Sequence, residues 1–439
     1  LDNWYEAVDR IRKYNIQYAI CGHGHQNKAY DFEGIKGTMG RSNLRAKDSI
    51  GGYNIVTMRK DSTFFATKKP GSELAQAWRK FSAVNFTPDP ALVLERPSYA
   101  INEQYPQVKQ KWSYHSAANV ISTPATDGNM VVVGNALGEI EALSLKDGSK
   151  FWTYKTGGAI YSSPVIFKGL AILGSGDGFI YAIELKTGKL AWKFKANAAV
   201  LGSPILDKDL VYIGSSDQTY RALKAKTGKL KWAFKGVEGT VVGTPAVYED
   251  KVIFGSWGRH LYALNKKDGK LKWKWNNGNA NRMFSPAMVT PVVHKGIVYI
   301  AAPDRVLTAI DVNTGLSLWR NKEATVRESI GIAEDKSVIY GKTMNDEIVA
   351  YKTQATDPGV LWRLNLKFGY EHVPSMLIAK DGKVFFGTKN GVVYAFDPIK
   401  KQAVWAHKID NAMVNTVNVL DGGQVLVSTM DGVISLLEN

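Results

Sequence analysis

Eight tryptophans recur along the chain at a nearly constant interval. The gaps between them are 40, 40, 40, 41, 46, 43 and 43 residues. The eight are Trp112, Trp152, Trp192, Trp232, Trp273, Trp319, Trp362 and Trp405. A period of about 40 residues built from short alternating apolar runs predicts a β-propeller. Each repeat unit is a small sheet that buries its faces only by stacking on its neighbours.

Two dipeptides repeat in register with the tryptophans. A Ser-Pro or Thr-Pro pair opens five units, at the start of an innermost strand, where the missing N–H of proline costs least. These pairs are Thr123-Pro124, Ser163-Pro164, Ser203-Pro204, Thr244-Pro245 and Thr290-Pro291. An Asp-Gly or Thr-Gly pair, typical of a tight hairpin, lies shortly before the next tryptophan. These pairs are Asp147-Gly148, Thr187-Gly188, Thr227-Gly228, Asp268-Gly269 and Thr314-Gly315.

One unit shows how four strands fill a single period. Within residues 159–195, short apolar or alternating runs occupy 162–167, 170–174, 179–185 and 190–194. Turn-forming residues separate these runs. Trp192 falls on the fourth and outermost strand. A large ring at that position can cover the gap between neighbouring sheets.

The two ends of the repeat region predict how the ring closes. Residues 109–114 form an outer strand with Trp112 but have no inner strands before them. Residues 416–437 supply three strands and no fourth. We therefore expect the first strand to complete the last sheet, which removes an exposed edge. Seven complete units and one shared unit predict a mainly β fold, an eight-bladed β-propeller of four-stranded blades over residues 107–439.

The Ser-Pro, Tyr-Ala-Leu, Thr-Gly and Trp pattern resembles the pyrroloquinoline-quinone-like (PQQ-like) repeat family over residues 107–439. Members of that family include quinoprotein dehydrogenases and cofactor-free binding or scaffold propellers. The dehydrogenases usually place a vicinal pair of cysteines beside the cofactor, whereas this chain has one cysteine, Cys21, outside the propeller. A clear set of Glu, Asn and Asp side chains for the calcium ion of such sites is also missing from the pattern. No PQQ is therefore expected.

The first 85 residues carry a different pattern. Residues 2–14 predict an amphipathic helix, and residues 16–21 predict a short strand that runs into Gly22-His23-Gly24-His25. Two imidazoles separated by one glycine can point at neighbouring metal positions. His23 and His25 are therefore candidate metal ligands, although a polar turn explains the same four residues.

The order of helix, strand, Gly-His-Gly-His and a hairpin over 52–58 and 62–67 resembles the C-terminal end of calcineurin-like metallophosphoesterases. Their last metal-binding motif is Gly-His-x-His. The resemblance implies a partial α/β metallophosphoesterase segment over residues 1–85, in which His23 and His25 bind two divalent metal ions of the manganese, iron or zinc class. The family's other ligand motifs precede this one, and only 22 residues precede His23 here. This chain alone is therefore predicted to be inactive.

Two further features of this region complete the domain interpretation. The basic segment after the histidines could meet a phosphate through charge-assisted hydrogen bonds, and a solvated turn is the alternative. Its candidate substrate contacts are Arg41, Asn43 and Arg45. Residues 86–106 are rich in proline, lack the repeat features and are interpreted as a linker to the propeller.

Charge and hydropathy limit the partners. The chain of 439 residues has 56 Lys and Arg against 40 Asp and Glu, a formal net charge of +16. That balance favours anionic partners, although lysines in Thr-Gly-Lys-Leu hairpins are also typical of a soluble surface. The sequence matches no nucleic-acid-binding motif and has no apolar run of about 18 residues, so neither nucleic acid nor a membrane span is expected. The bacterial repeat family implies a periplasmic or extracellular location, and the oligomeric state stays open.

One face of the predicted ring carries the candidate ligand site. It joins the loops that enter the innermost strands to the turns between second and third strands. In the later units these segments become longer and more polar, which suits a phosphorylated or other anionic small molecule or a glycan. Salt-bridged loops without a ligand explain them equally. The candidate residues are Trp257, Arg259, Arg282, Arg327, Glu328, Tyr370 and His372.

Two functions from different classes follow from these patterns. In the first, the chain is the C-terminal portion of a two-metal phosphoester hydrolase with an accessory ligand-binding propeller. Its metals would clamp the phosphoryl oxygens and lower the pKa of a bridging water. In the second, the propeller is a non-catalytic binding or scaffold module. The sequence identifies no substrate for the first function.

Overall fold

The computed structural model describes residues 4–22, 24–41, 51–84 and 96–439. The chain divides into two compact units, Leu1–Ser98 and Tyr99–Asn439. Each unit has its own sheets and its own buried side chains. No helix among the described residues has the length and apolar character needed to cross a bilayer.

The described residues of the first unit form one helix and two small sheets. Its helix has Glu6 in the first turn and Arg10 in the last, charges that suit the helix dipole. In the first sheet, β1 pairs parallel with β3, and β2 pairs antiparallel with β3. The second sheet is antiparallel in the order β4-β5-β6, and its third strand was not expected from the sequence. The elements are α1 Trp4–Ile11, β1 Ala19–Cys21, β2 Lys28–Phe32, β3 Ile35–Met39, β4 Tyr53–Met58, β5 Ser62–Lys68 and β6 Ala77–Ser82.

Aromatic rings and one buried carboxylate hold the first unit together. Tyr18 stacks on Phe81 with ring centroids 4.7 Å apart, and Phe65 meets Tyr18 edge-on at 5.7 Å. The Glu33 carboxylate is buried and accepts hydrogen bonds from Arg12 Nη1 at 2.9 Å and from the Arg96 guanidinium. Two guanidiniums thus compensate the cost of burying this charge.

The second unit is a propeller of four-stranded antiparallel sheets, and the described residues form eight of them. We number these sheets as blades 1 to 8 in chain order. Blades 1 to 4 are β8 Ala125–Thr126, β9 Met130–Gly134, β10 Glu139–Ser144 and β11 Lys150–Lys155; β12 Val165–Phe167, β13 Leu170–Gly174, β14 Phe179–Glu184 and β15 Leu190–Lys195; β16 Ile205–Asp207, β17 Leu210–Gly214, β18 Tyr220–Lys224 and β19 Leu230–Phe234; β20 Ala246–Tyr248, β21 Lys251–Gly255, β22 Leu261–Asn265 and β23 Leu271–Trp275.

The later blades keep the same strand order, although the loops between them differ. A short helix, α2 Ile101–Gln104, precedes the strand β7 Lys109–His115. Three 3-10 helices cover Arg282–Phe284, Pro286–Met288 and Asp421–Gly423. Blades 5 to 8 are β24 Val292–His294, β25 Ile297–Ala301, β26 Leu307–Asp311 and β27 Ser317–Asn321; β28 Val326–Ile332, β29 Val338–Thr343, β30 Asn345–Lys352 and β31 Trp362–Tyr370; β32 Ile378–Lys380, β33 Lys383–Gly387, β34 Val392–Asp397 and β35 Gln402–Lys408; β36 Asn418–Val419, β37 Val425–Ser428, β38 Val433–Glu438 and β7.

Blade 8 is assembled from both ends of the repeat region. Strand β7 pairs antiparallel with β38, and Trp112 lies opposite Leu436. The predicted pairing of residues 109–114 with the last unit is therefore confirmed. Because β7 is the outer strand of this sheet, the two ends of the ring are joined by backbone hydrogen bonds as well as by side chains.

Six of the eight periodic tryptophans donate an indole hydrogen bond to the following blade. The Trp152 Nε1 donates to Leu185 O at 2.7 Å, and the Trp192 Nε1 donates to Ala225 O at 3.0 Å. Both acceptors lie in the turn between third and fourth strands of the following blade. The glycine of that turn has a positive φ, 68° at Gly188, and a Cβ there would lie 2.7 Å from the Trp152 ring. The second residue of each Thr-Gly pair is therefore glycine, because the tryptophan ring of the preceding blade packs directly on it.

The Ser-Pro and Thr-Pro pairs also join neighbouring blades. The Thr123 N–H donates to Ser163 Oγ at 2.9 Å, and the Ser163 N–H donates to Ser203 Oγ at 3.0 Å. Between the last blade and the first, Ser428 Oγ donates to Ser122 O at 2.9 Å. In the first two of these bonds, the serine hydroxyl supplies the acceptor that the inner strand's backbone lacks at this point.

Part of the segment interpreted as a linker packs on the propeller. Asn102 Nδ2 donates to Lys408 O at 2.9 Å, and the Lys408 N–H donates back to Asn102 Oδ1 at 2.7 Å. Tyr105 packs against the cores of the last blades. Residues 99–106 therefore belong to the second unit, while residues 85–95 lie outside the described part of the chain.

Candidate functional site

One face of the propeller carries the loops that enter the inner strands and the turns between second and third strands. We call it the loop face. Direct backbone bonds join the two kinds of segment: the Gly176 N–H donates to Ala159 O at 2.8 Å, and the Trp257 N–H donates to Thr240 O at 2.9 Å. Each turn is thereby fixed against the loop beside it. The loop face is a preformed surface and needs little ordering when a partner binds.

A central channel opens between the inner strands. Its volume is about 820 Å³, and all eight blades contribute to its wall. The wall consists of aliphatic, proline and hydroxyl-bearing side chains with one asparagine, Asn418, and carries no ionisable side chain among the residues described as lining it. An uncharged wall offers no counter-charge to an anionic cofactor or a metal ion.

Two aspartates in the turns of blades 2 and 3 are structural. Asp177 accepts from the Gly157 N–H at 2.8 Å and from the Tyr181 hydroxyl at 2.7 Å. Asp217 accepts from the Asn197 N–H at 3.0 Å and pairs with the buried Arg221 guanidinium. Burial alone would raise the pKa of Asp217, but hydrogen bonds from Arg221 and neighbouring groups outweigh it and lower that pKa well below its usual range. These turns look plain in the sequence, yet their carboxylates lock one blade to the next.

The insertion that lengthens the fifth tryptophan interval forms the most polar part of the loop face. It covers residues 276–291 and contains four asparagines and two short 3-10 helices. Asparagine side chains cap successive backbone N–H groups: Asn277 Oδ1 accepts from the Asn279 N–H at 3.0 Å, and Asn281 Oδ1 accepts from the Met283 N–H at 3.0 Å. These amide oxygens therefore stabilise the loop, and the same hydrogen bonds leave them less available to a ligand.

A cavity of about 490 Å³ lies beside this insertion. Arg320 Nη2 donates to Asp304 Oδ2 at 2.6 Å, and Asn277 Nδ2 donates to the same oxygen at 3.0 Å. Burial raises the pKa of Asp304, and the Arg320 guanidinium opposes that shift. Lys322 also lines the cavity and adds a second cation. Arg320 and Lys322 were not among the predicted ligand residues, because they lie on and just after an outer strand rather than in a loop.

Three of the predicted ligand residues lie around the same insertion. Arg259 has a positive φ of 74°, and its Nη1 lies 3.5 Å from Ala280 O. It lines a second cavity, of about 170 Å³, together with His260. Trp257 is partly buried, and Arg282 is exposed in the first 3-10 helix. The structure therefore brings Arg259 and the insertion together, with Arg282 on its outer surface.

The other four predicted ligand residues lie on blade 6 and just after it: Arg327 and Glu328 in β28, Tyr370 at the end of β31, and His372 in the loop before blade 7. Arg327 Nε donates to Glu328 Oε2 at 3.2 Å. Glu328 is only 6% exposed, has a φ of 54°, and burial raises its pKa. The Tyr370 and His372 rings stack with centroids 5.6 Å apart, and the Lys389 ammonium lies 5.3 Å from the Tyr370 centroid. Pairs and stacks among neighbours thus account for much of the polar chemistry at these four positions.

A fully buried ion pair near this point was not predicted. Lys342 Nζ donates to Glu371 Oε2 at 3.1 Å and to Gly387 O at 3.0 Å, and both charged side chains are 2% exposed. Burial lowers the pKa of Lys342, and Glu371 opposes the shift. The only signal in the sequence is a lysine inside an apolar strand, at residues 338–343.

Several apolar side chains of the loop face are open to solvent. They lie mainly on blades 1 and 2 and on the insertion before blade 5. A group of exposed apolar residues beside a rigid polar surface is a common sign of a protein interface. The exposed fractions are 36% at Ile121, 53% at Leu137, 39% at Tyr161, 66% at Met283, 38% at Met288 and 53% at Tyr370.

The predicted metal ligands of the first unit are not brought into a metal site by the described residues. His25 is exposed with a φ of 57°, just after β1, and His23 lies outside the described residues. The Arg41 N–H donates to Asn27 Oδ1 at 3.0 Å, while Asn43 and Arg45 also fall outside the described part. Within residues 4–22, 24–41, 51–84 and 96–439, no group of three or more His, Cys, Asp or Glu side chains could hold a metal ion.

Comparison with known proteins supports a repeat propeller of the PQQ-like, BamB type. A PQQ-repeat family model described as outer membrane protein assembly factor BamB matches residues 138–355. The outer membrane protein assembly factor BamB of Salmonella typhimurium is 27% identical over 146 residues, 33% of this chain and 35% of that protein. The Yersinia pestis factor of the same name is 40% identical over 75 residues, 17% of this chain and 18% of that protein. The matches thus span about a third or less of these relatives.

Solved structures of low identity share the fold. BamB from Moraxella catarrhalis aligns with a TM-score of 0.63 at 17% identity, covering 76% of this chain and all of that one. A europium-containing methanol dehydrogenase aligns with a TM-score of 0.59 at 14% identity, covering 74% of this chain and 85% of that one. Both kinds of propeller therefore share this architecture, and the fold alone does not separate them.

The comparisons give no support to a metallophosphoesterase segment in residues 1–85. The resemblance rested on a four-residue motif and on the order of short elements, and such elements recur in unrelated folds. Between the two functions drawn from the sequence, the binding or scaffold propeller fits the findings better than the hydrolase.

Proposed function

We propose that the chain is a non-catalytic binding or scaffold module, an eight-bladed ring whose loop face docks a protein partner without PQQ. The observation that carries the proposal is the loop face itself, where exposed apolar side chains lie mainly on blades 1 and 2 and on the insertion, and the ring encloses an uncharged channel. Leu137 and Tyr161 are prominent members of this group, at 53% and 39% exposure. A redox propeller instead needs charged and metal-binding groups at the ring centre.

The relatives suggest the kind of partner and the compartment. Their name describes assembly factors of outer membrane proteins. By this similarity we propose a periplasmic location and a partner in the assembly of outer membrane proteins. Because hydrogen bonds between blades already fix the turns, the partner would meet a rigid surface with apolar anchors and a polar rim.

A photo-crosslinking experiment tests this proposal. A photoreactive amino acid replaces Leu137 or Tyr161 on the loop face, and matched variants carry it at Leu316 or Leu361, which are also exposed but lie outside that face. In the native bacterial envelope we expect loop-face positions to crosslink to one component of the outer membrane assembly machinery. Equal crosslinking from all four positions, or none from the loop face, would contradict the proposal.

The polar insertion supports a second, smaller role for the loop face. The cavity beside Arg320 and Lys322 and the candidates Arg259, Arg282 and Arg327 favour an anionic small molecule or a glycan. In this proposal the ligand would bind next to the protein partner and not in the channel. Two-metal phosphoester hydrolysis by a longer protein rests on residues 22–25 and on the order of the short elements around them, and no comparison supports it.

A further inference from the structure

Three neighbouring hairpins at the outer edge of the ring share a strongly basic composition. They connect third and fourth strands in blades 2, 3 and 4, at residues 184–190, 224–230 and 265–271, and we call them the rim hairpins. Together they contain eight lysines and two acidic residues. The corresponding segments of blades 5 and 6, residues 311–317 and 352–361, contain one lysine and two acidic residues. The edge of the ring is thus more positive at blades 2 to 4 than at blades 5 and 6.

The rim hairpins form one continuous surface. The Trp192 Nε1 of blade 2 donates to Ala225 O in the hairpin of blade 3, at 3.0 Å. The Trp232 Nε1 of blade 3 donates to Lys266 O in the hairpin of blade 4, also at 3.0 Å. Because each hairpin is bonded to the outer strand of the blade before it, the three hairpins lie side by side in a fixed arrangement.

Most of the lysines on this surface have no acidic partner. Lys266 pairs with Asp207 at 2.7 Å, and Lys270 lies 3.8 Å from Asp268. The other six are exposed, and the described residues place no carboxylate in an ion pair with them. These six are Lys186, Lys189, Lys224, Lys226, Lys229 and Lys267. Several uncompensated cations on one surface attract an extended anionic partner.

Exposed leucines alternate with these lysines. Leu190, Leu230 and Leu271 begin the three outer strands, directly after a lysine, and are 38%, 42% and 44% exposed. Lysines beside apolar side chains suit the interface of a bilayer, where the charge meets the headgroups and the apolar group enters below them. The rim hairpins contain neither arginine nor aromatic residues, which nucleic-acid surfaces use for phosphate forks and base stacking.

We propose that the rim hairpins dock the propeller on an anionic lipid bilayer. The lysines contact the headgroups, and the three leucines enter the interface. Each lysine near such a surface strengthens binding about fivefold, and the attraction weakens as salt is added. This surface is separate from the loop face, so it leaves that face open to a protein partner.

Vesicle sedimentation tests the charge contribution. The full chain is mixed with phosphatidylcholine vesicles that either contain or lack phosphatidylglycerol. A triple Lys→Gln variant in the rim hairpins should bind the anionic vesicles at least about tenfold more weakly than the parent chain. A control with the same net charge, altered at exposed lysines elsewhere, should bind within about twofold of the parent. The test set is Lys186, Lys226 and Lys267, and the control set is Lys336, Lys352 and Lys400.

A second triple variant tests the apolar contribution independently. Changing Leu190, Leu230 and Leu271 to Ser should weaken binding to anionic vesicles, whereas changing the exposed Leu316, Leu318 and Leu361 to Ser should not. The melting temperature of each variant shows whether it is folded. Absence of parent binding to anionic vesicles, or an equal loss in test and control sets, would overturn the proposal. Binding to a soluble polyanion such as heparin, without binding to vesicles, would overturn it in favour of a nucleic acid or another polyanionic partner.

Discussion

Blades 2 to 4 and blades 5 to 7 solve the same packing problem with different residues. In the earlier group, matching positions hold matching residues, and the polar side chains of the turns bond to the neighbouring blade, as Asp177 does with the Gly157 N–H. In the later group, buried charges such as Lys342, Glu371 and Glu328 replace small or apolar residues. A ring therefore tolerates a departure from its repeat when each buried charge has a partner.

The largest expected effect concerns the buried pair in the irregular group. Lys342→Met removes the cation that faces Glu371 and leaves the carboxylate buried without its charge partner. Breaking such a pair typically costs about 3–5 kcal/mol of the free energy of unfolding. Chemical denaturation measures this loss.

A double variant shows whether the loss comes from the unpaired charge. Lys342→Met combined with Glu371→Gln removes both charges and keeps an acceptor for the Lys389 N–H, which donates to Glu371 Oε2 at 3.0 Å. It should recover much of the lost stability, because no uncompensated charge remains. A double variant as unstable as Lys342→Met would mean that the ammonium matters through its bonds to backbone carbonyls instead.

A smaller effect is expected in the regular group, at a glycine under a tryptophan. Gly228 has a φ of 68°, and a Cβ there would lie 2.5 Å from the Trp192 ring. Gly228→Ala should therefore cost about 2–3 kcal/mol, from backbone strain and from displacement of the ring. The matched control is Gly169→Ala, at a φ of 81° with no atom within 4 Å of the new Cβ, where only the strain of about 1 kcal/mol is expected. Equal losses of stability in the two variants would show that the close contact between Gly228 and the Trp192 indole does not matter for the stability of the propeller.

The sequence predicts the regular blades well because their signals are periodic. The spacing of Trp152, Trp192 and Trp232 places them on outer strands, and the structure shows each bonded to the next blade. Ring closure by residues 109–114 follows from the same count. The period determines which residues occupy equivalent positions, and equivalent positions make equivalent contacts.

Pairings between residues that break the period are not predictable in this way. Lys342 and Glu371 are 29 residues apart and meet only because β29 and the loop before blade 7 converge. Arg320 and Asp304 likewise meet across one blade, although only the aspartate lies in a turn that the sequence marks as polar. The Gly-His-Gly-His motif is a different case. Its two histidines suggest metal chemistry, but only a surrounding set of ligands defines a metal site, and a motif does not show whether that set exists.

The pH dependence of stability should differ between the later and the earlier blades. Each group of blades contains a carboxyl whose pKa shifts on folding, and the shifts of these two carboxyls have opposite directions. Burial raises the pKa of Glu328 in the folded state, although Arg327 opposes the shift. The unfolded chain therefore loses this proton at lower pH than the folded chain, and the contribution to stability falls as the pH rises through the unfolded pKa toward the raised folded value. Glu328→Gln keeps an acceptor for Arg327 and should raise the melting temperature at neutral pH. It should have little effect at a pH below both pKa values.

Asp217 provides the opposite case in the regular group, because its pKa is lowered on folding. Its contribution is present above the unfolded pKa and is lost as the pH falls toward the lowered folded value. Asp217→Asn should therefore be destabilised at neutral pH and approach the parent chain in acid. Melting temperatures of the two variants across the acid range should diverge in opposite directions. Parallel curves would show that the hydrogen bonds to Asp217 do not outweigh its burial.

The smallest effect on stability is expected at the exposed cations of the insertion. Arg282 is exposed, so Arg282→Ala should change the free energy of unfolding by no more than about 0.5 kcal/mol. If the polar insertion binds an anionic ligand, the same change should still weaken binding, because a lost charge-assisted hydrogen bond costs about 1.5–3 kcal/mol. Calorimetry against inorganic phosphate and a panel of anionic glycans measures the affinity.

Lys295→Ala removes a cation from the opposite end of blade 5 as a control. Affinity that is unchanged in Arg282→Ala but reduced in Arg320→Ala would move the ligand into the 490 Å³ cavity, and unchanged affinity in both would leave the insertion as a structural element only.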